Sequence, residues 1–218
     1  EEKELKKELG GIIEVDQHVK MIHIHIIDVC SQESVRLTEG NFTVEALCWS
    51  PDSEKIVFSA RPSPAVEDMF NSDLYTINIS DKKITTLVQR EGVDTSPKWS
   101  PDGKTIAFVS TDRVQKWVAN WFICVVPAAG GTPRNISRKF DEFISSCTWG
   151  VDSRRIFFSG NQGVTAHLFS VSVDKAEIEQ ISSGAKTYRN FSFSDDYTKT
   201  AFLVSRPGMP DEVHYSLL

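Results

Sequence analysis

The chain has 218 residues, 40% of them hydrophobic and 25% charged, with a formal net charge of −6. This composition fits a soluble globular protein able to bury a real core. The acidic balance argues against nucleic-acid and membrane partners, and no apolar run approaches the length of a bilayer-spanning helix.

In chain order, the opening "EEKELKKELGG" reads as a solvated helix or linker without the apolar core of a secretory signal. Two short strands follow, "IHIID" from Ile24 and "VRLT" near Leu37. Next comes "WSPDSEKIVF" from Trp49, which returns as "WSPDGKTIAF" from Trp99, "WGVDSRRIFF" from Trp149 and "FSDDYTKTAF" from Phe193, at intervals of 50, 50 and 44 residues. In every copy an aromatic opens, an aspartate stands fourth (Asp52, Asp102, Asp152, Asp196) and a phenylalanine closes (Phe58, Phe108, Phe158, Phe202). The middle is turn chemistry. Proline presets φ, aspartate bonds nearby N–H groups, and Gly103 accepts a left-handed conformation. Ser53, Ser153 and Tyr197 stand where Gly103 does and must bear strain or adopt another geometry.

Two more strands follow each turn unit. The third-strand set comprises "LYTIN", "FICVV", "LFSVS" and "VHYSL"; the shorter fourth-strand set comprises "ITTLV", "RNIS" and "EQIS". With the strand leading into each aromatic, every unit has four. Four-stranded antiparallel units at this period are blades of a β-propeller. The expected architecture is all-β and an incomplete ring over residues 1–218: a partial blade at 11–38, full blades at 43–88, 94–137 and 144–182, and a second partial blade at 188–218. Tight turns fall on one rim. Long connections after the second strand, Ala60 to Ser72 and Ser110 to Asn120, fall on the other, where recognition concentrates.

The four cysteines, Cys30, Cys48, Cys124 and Cys147, show no Cys-x-x-Cys pair and lie in apolar, strand-like runs. They read as small buried hydrophobes in a reducing compartment. His23 and His25 share a strand face at a spacing that can hold a metal, but no third ligand stands nearby, so no metal and no cofactor is expected. His167 and His214 sit in third strands and read as packing or edge decoration. Trp121 adjoins a third strand and reads as core or blade-interface packing. Trp117, in a long loop, is a candidate contact for a substrate or partner. Asp141 and Glu142, side by side in "FDEF", are a second candidate, for a substrate amine.

"WSPDGKTIAF" resembles the repeat shared by TolB-like propellers and the propellers of the prolyl oligopeptidase family of serine peptidases. "SARPSPAVEDMFNSDLYTINI", "GVDTSPKWSPDGKTIAFVS", "VVPAAGGTPRNIS" and "FLVSRPGMPDEVHY" are similar to the acylaminoacyl-peptidase and dipeptidyl-peptidase branch. That resemblance implies a propeller capping a C-terminal α/β-hydrolase domain of the same parent chain, with short peptides as substrates and a cytoplasmic location; a homo-oligomer is left open. The hydrolase carries its nucleophile in a G-x-S-x-G elbow. None of the 12 glycines here stand four apart, so no catalytic residue is assigned and the chain alone is not expected to be an enzyme. The alternatives are a TolB-like protein-binding propeller, which implies a periplasmic location, and a sugar- or metabolite-processing propeller, which needs a ring of acidic or histidine ligands.

Overall fold

The computed structural model describes residues 20–116, 118–196 and 198–217; the opening "EEKELKKELGG", Trp117 and Tyr197 lie outside them. The described chain forms five antiparallel sheets that follow one another in sequence order. The first has two strands, β1 (His25–Ile27) and β2 (Ser34–Arg36). The second, third and fourth have four each: β3 (Thr43–Trp49) to β6 (Ile84–Val88) through β4 (Lys55–Arg61) and β5 (Asp73–Asn78); β7 (Asp94–Trp99), β8 (Thr105–Ser110), β9 (Phe122–Pro127) and β10 (Arg134–Asn135); β11 (Ile144–Trp149), β12 (Arg155–Gln162), β13 (Thr165–Ser172) and β14 (Ile178–Gln180). The fifth has three, β15 (Thr187–Phe193), β16 (Lys199–Arg206) and β17 (Met209–Leu217). Three full blades flanked by two partial ones, with the ring left open, is the architecture the repeat predicts.

The repeated motif builds the hairpin between the first and second strands. Ser53, Gly103 and Ser153 all have positive φ (60°, 71° and 57°) and donate their N–H to the carbonyl three residues back. Oδ1 of Asp52, Asp102, Asp152 and Asp196 accepts the N–H two residues on. Where a serine precedes the turn, its hydroxyl donates to the same oxygen, as from Ser50, Ser100 and Ser194. These donors hold the carboxyls of Asp52 and Asp102 below their usual range and that of Asp196 down to about 2.

The closing phenylalanine belongs to the junction with the preceding sheet. Phe58 packs with Ile24 and Leu37 of the first sheet's segment, Phe108 with Val57 and Leu74, and Phe158 with Ala107 and Ile123. Phe58, Phe108 and Phe158 are at most 1% exposed. A side chain from the approach to each first strand then caps the ring. Phe42 stacks on Phe58 at 6.3 Å and Phe140 meets Phe158 edge-on at 5.2 Å, while the Arg90 guanidinium lies 5.6 Å over Phe108. Arg90 is held by Asp94 through two hydrogen bonds of 2.8 and 2.9 Å, and Ser110 also donates to that carboxylate. Buried at 11% and 1% side-chain exposure, this pair is paired and hydrogen-bonded as a buried charge must be.

Cys30 departs from the expectation of burial. It is exposed, in the turn between β1 and β2, where the Asp28 carboxylate accepts from the N–H groups of Cys30 and Ser31. Local side-chain-to-backbone bonding takes these residues out of the strand that their apolar neighbours suggested. Cys124 is buried, which pushes its thiol up to about 11, and Cys48 and Cys147 are half-buried.

Candidate functional site

The first strands of the full blades, β3, β7 and β11, lie side by side, β7 touching both of the others. Each is interrupted by a bulge: pairing skips from Val44 to Ala46, from Thr95 to Lys98 and from Ile144 to Ser146. The skipped residues sit outside the ladder and bend the strand, the usual way in which a sheet re-aims side chains toward a site. In β7 the kink contains Ser96 at φ 53° followed by Pro97, which has no N–H to offer.

Beside these bulges lies a groove of about 410 Å³. Leu47, Pro97 and Ile144 come from the three inner strands, Trp121 from the end of the long loop after β8, and Phe143 from the approach to β11. Leu47 and Phe143 are 44% and 50% exposed, so the groove is an open apolar surface. Lys98 is the one charged side chain in its lining. Among the described residues its ammonium makes no ion pair, whereas its backbone carbonyl accepts the Trp149 indole N–H at 2.9 Å. Cys147 also lines the groove.

Of the sequence-predicted contacts, Asp141 and Glu142 lie next to this groove in the chain and do not line it. Both are exposed and immediately precede Phe143. The Asn120 amide donates to the Asp141 carboxylate at 2.7 Å, tying the long loop to the approach segment just where Trp121 and Phe143 face the groove. Asp141 thus acts as a brace between two loops, and its carboxylate has a partner within the chain. Trp117 lies outside the described residues. Leu47 and Lys98 carried no motif. Their signal is alternation, since Glu45, Leu47 and Trp49 are the exposed members of β3 and Ser96 and Lys98 those of β7.

A second cavity of about 300 Å³ opens beside the other long connection, between Phe42, Phe58 and Tyr75, with Asp73 and Arg61 at its edge. Burial raises the Asp73 carboxyl above its usual range, against the Arg90 N–H that bonds it. Arg61 is committed to Glu45 at 3.1 Å. Among the described residues, two blades have long connections here. In the fourth and fifth sheets the corresponding strands join through tight hairpins at Gly163 and Gly208.

The histidines among the described residues make packing or local polar contacts. His23 packs edge-on against Phe42 and its Nδ1 lies 3.3 Å from Thr38 Oγ1, while His25 contacts Ser34 on the surface. His167 is 1% exposed, between Thr165, Ser182 and Tyr188. His214 stacks on Phe202. Among the described residues no three His, Cys, Asp or Glu side chains converge in a metal-binding arrangement.

Residues 12–118 match the family described as TolB beta propeller domain. Over 156 residues the chain is 29% identical to dipeptidyl-peptidase 5 of Porphyromonas gingivalis, covering 70% of this chain and 23% of that protein. Among solved structures, a puromycin-hydrolyzing peptidase of Mycobacterium tuberculosis superposes with a TM-score of 0.67 at 13% identity, covering 88% of this chain and 33% of that one. An oligogalacturonate lyase in complex with manganese gives 0.68 at 13% identity, covering 83% and 53%. These structural likenesses establish the fold. The chain spans less than a quarter of its dipeptidyl-peptidase relative.

Proposed function

We propose that this chain, whose residues 12–118 match the TolB beta propeller domain, is the non-catalytic propeller portion of a serine peptidase acting on short peptides. In this reading it gates access to an α/β-hydrolase domain of the same parent chain, in the cytoplasm. The observation that carries it is the 29% identity to a dipeptidyl-peptidase over 70% of the chain. The inner strands support it physically. Lying side by side and each bulged, they present an open apolar groove next to a long connection, a surface suited to a short peptide. The hydrolase would supply acyl-enzyme chemistry through a Ser-His-Asp triad, and this chain would sort substrates by size.

A second reading, a TolB-like protein-binding module in the periplasm, is favoured by the family match over residues 12–118. A serine-reactive fluorophosphonate probe, applied with a panel of short free and blocked peptides, separates the two. Labelling and hydrolysis by the natural full-length protein, with neither in the 218-residue chain, are the expected outcome. A full-length protein that is neither labelled nor active removes the peptidase reading and leaves the binding module.

A further inference from the structure

We infer that the groove on the inner strands binds the C-terminal end of a peptide, its free carboxylate on Lys98 and its last, apolar side chain between Trp121 and Phe143. Charge and shape together carry the inference. The groove is walled by apolar side chains from three strands and two loops, and its single charge is a cation with no ion-pair partner among the described residues. An apolar surface interrupted by one unpaired ammonium complements a ligand that is apolar and carries one anion close by. Few common groups match that better than a peptide's last residue, where side chain and carboxylate leave the same carbon. A cationic or zwitterionic head would leave Lys98 repelled or half-matched, and a purely apolar ligand would strand it.

Two further features fit a peptide. In β7 the ladder is broken between Thr95 and Lys98, so the backbone of Ser96 stands outside the sheet pairing at the groove wall, positioned for main-chain hydrogen bonding to an extended ligand. The Asn120–Asp141 hydrogen bond fixes the two loops that present Trp121 and Phe143, so the apolar slot is formed before a ligand arrives. Asp141 and Glu142 lie upstream of Phe143 and line no part of the groove.

The inference rests on the peptide-handling reading above, and its test is independent of hydrolysis. Binding of an N-acetylated tripeptide ending in leucine, as free acid and as C-terminal amide, is measured by calorimetry on the natural full-length protein treated with fluorophosphonate to stop turnover. The free acid should bind about fivefold or more tightly than the amide, as a partly exposed charge-assisted contact allows. Lys98→Gln should bring the acid down to the amide's affinity. Trp121→Ala should weaken both and leave their ratio unchanged. Lys98 is exposed, and only its backbone carbonyl serves Trp149, so the substitution leaves the fold intact. Equal binding of acid and amide, a preference that survives Lys98→Gln, or no binding of either at millimolar concentration overturns the site. Each of these can occur in a protein that the probe labels, and acid-selective binding can occur in one that it does not, so the site and the peptidase reading fail separately.

Discussion

Leu74, Ile123 and Leu168 hold the same place in three successive sheets, each just before the residue paired with the repeated phenylalanine, and Val213 holds it in a fourth. The first three are 0%, 0% and 2% exposed and Val213 is 78% exposed. The other end of the array shows the mirror case. Trp149 is 4% exposed with its indole N–H bonded to Lys98 of the preceding sheet, while Trp49, whose preceding sheet shows two strands among the described residues, is 43% exposed. The side chains differ little along the array; what differs is whether a neighbour is present. A blade is a hydrophobic sandwich filling that owns neither slice of bread, so stability resides in the junctions and little of it in any one sheet.

The largest effect should come from breaking one junction and sparing the open face. Leu74→Ala removes a fully buried side chain between the second and third sheets and should cost about 2–5 kcal/mol. Val213→Ala, on the uncovered face of β17, should change stability by about 0.5 kcal/mol or less. Urea midpoints of the two variants decide the matter. Comparable losses would mean that Val213 is covered in solution and that the two faces are not different in kind.

Most of this architecture was legible because the repeat writes it locally. The turn, the aspartate and the closing phenylalanine are contiguous, so the hairpins, the positive φ at Gly103 and the blade count follow from ten residues at a time, while the structure decides for strain at Ser53 and Ser153. The caps over the phenylalanines were not legible. Phe42, Arg90 and Phe140 do one job with different chemistry, and a periodic search finds repeated letters rather than repeated roles. The Arg90–Asp94 pair looks like two unrelated charges until β7 and β8 bring Ser110 beside them. The groove was not legible as a site. Trp121 reads from the sequence as core or blade-interface packing and the acidic pair lies beside the groove without lining it, because the groove needs three strands from three blades, whose adjacency no local pattern states. Cys30 was misread because an aspartate two residues earlier outweighs apolar neighbours.

Acid should sharpen the contrast between junctions and turns. The Asp196 carboxyl sits at about 2 although its sheet is the least covered, and those of Asp52 and Asp102 are lowered in the interior sheets by the same kind of donors. A depressed folded value means that the carboxylate stabilises the fold fully above the unfolded value of about 3.9 and loses that contribution as pH falls through the folded value. Stability should therefore decline below about pH 4. Carboxyl NMR titration should show all three depressed, in the end sheet as in the interior. An ordinary value for Asp196 alone would make the turns depend on neighbours after all.

The smallest effect lies inside the turn and separates its local strain from its contacts. A left-handed φ at Ser53 costs about 1 kcal/mol relative to glycine, and replacing it adds back unfolded-chain entropy of roughly 0.5–1 kcal/mol. Ser53→Gly should thus raise stability by a few tenths of a kcal/mol at most. Ser153 has nearly the same φ, but its hydroxyl accepts the Asp102 N–H of the neighbouring turn at 3.1 Å. Ser153→Gly gives up that link, so it should be neutral or destabilising by about 0.5–1 kcal/mol. At Gly103 an added Cβ would meet only Pro51, at 3.9 Å. A serine there could reach back toward the second sheet's turn as Ser153 reaches toward the third's, so Gly103→Ser should cost less than the bare backbone penalty. Thermal melts of the three variants order them. If Ser53→Gly and Ser153→Gly shift stability alike, the turns are strained locally and stitched to nothing; if they diverge as stated, the tight rim carries a junction of its own.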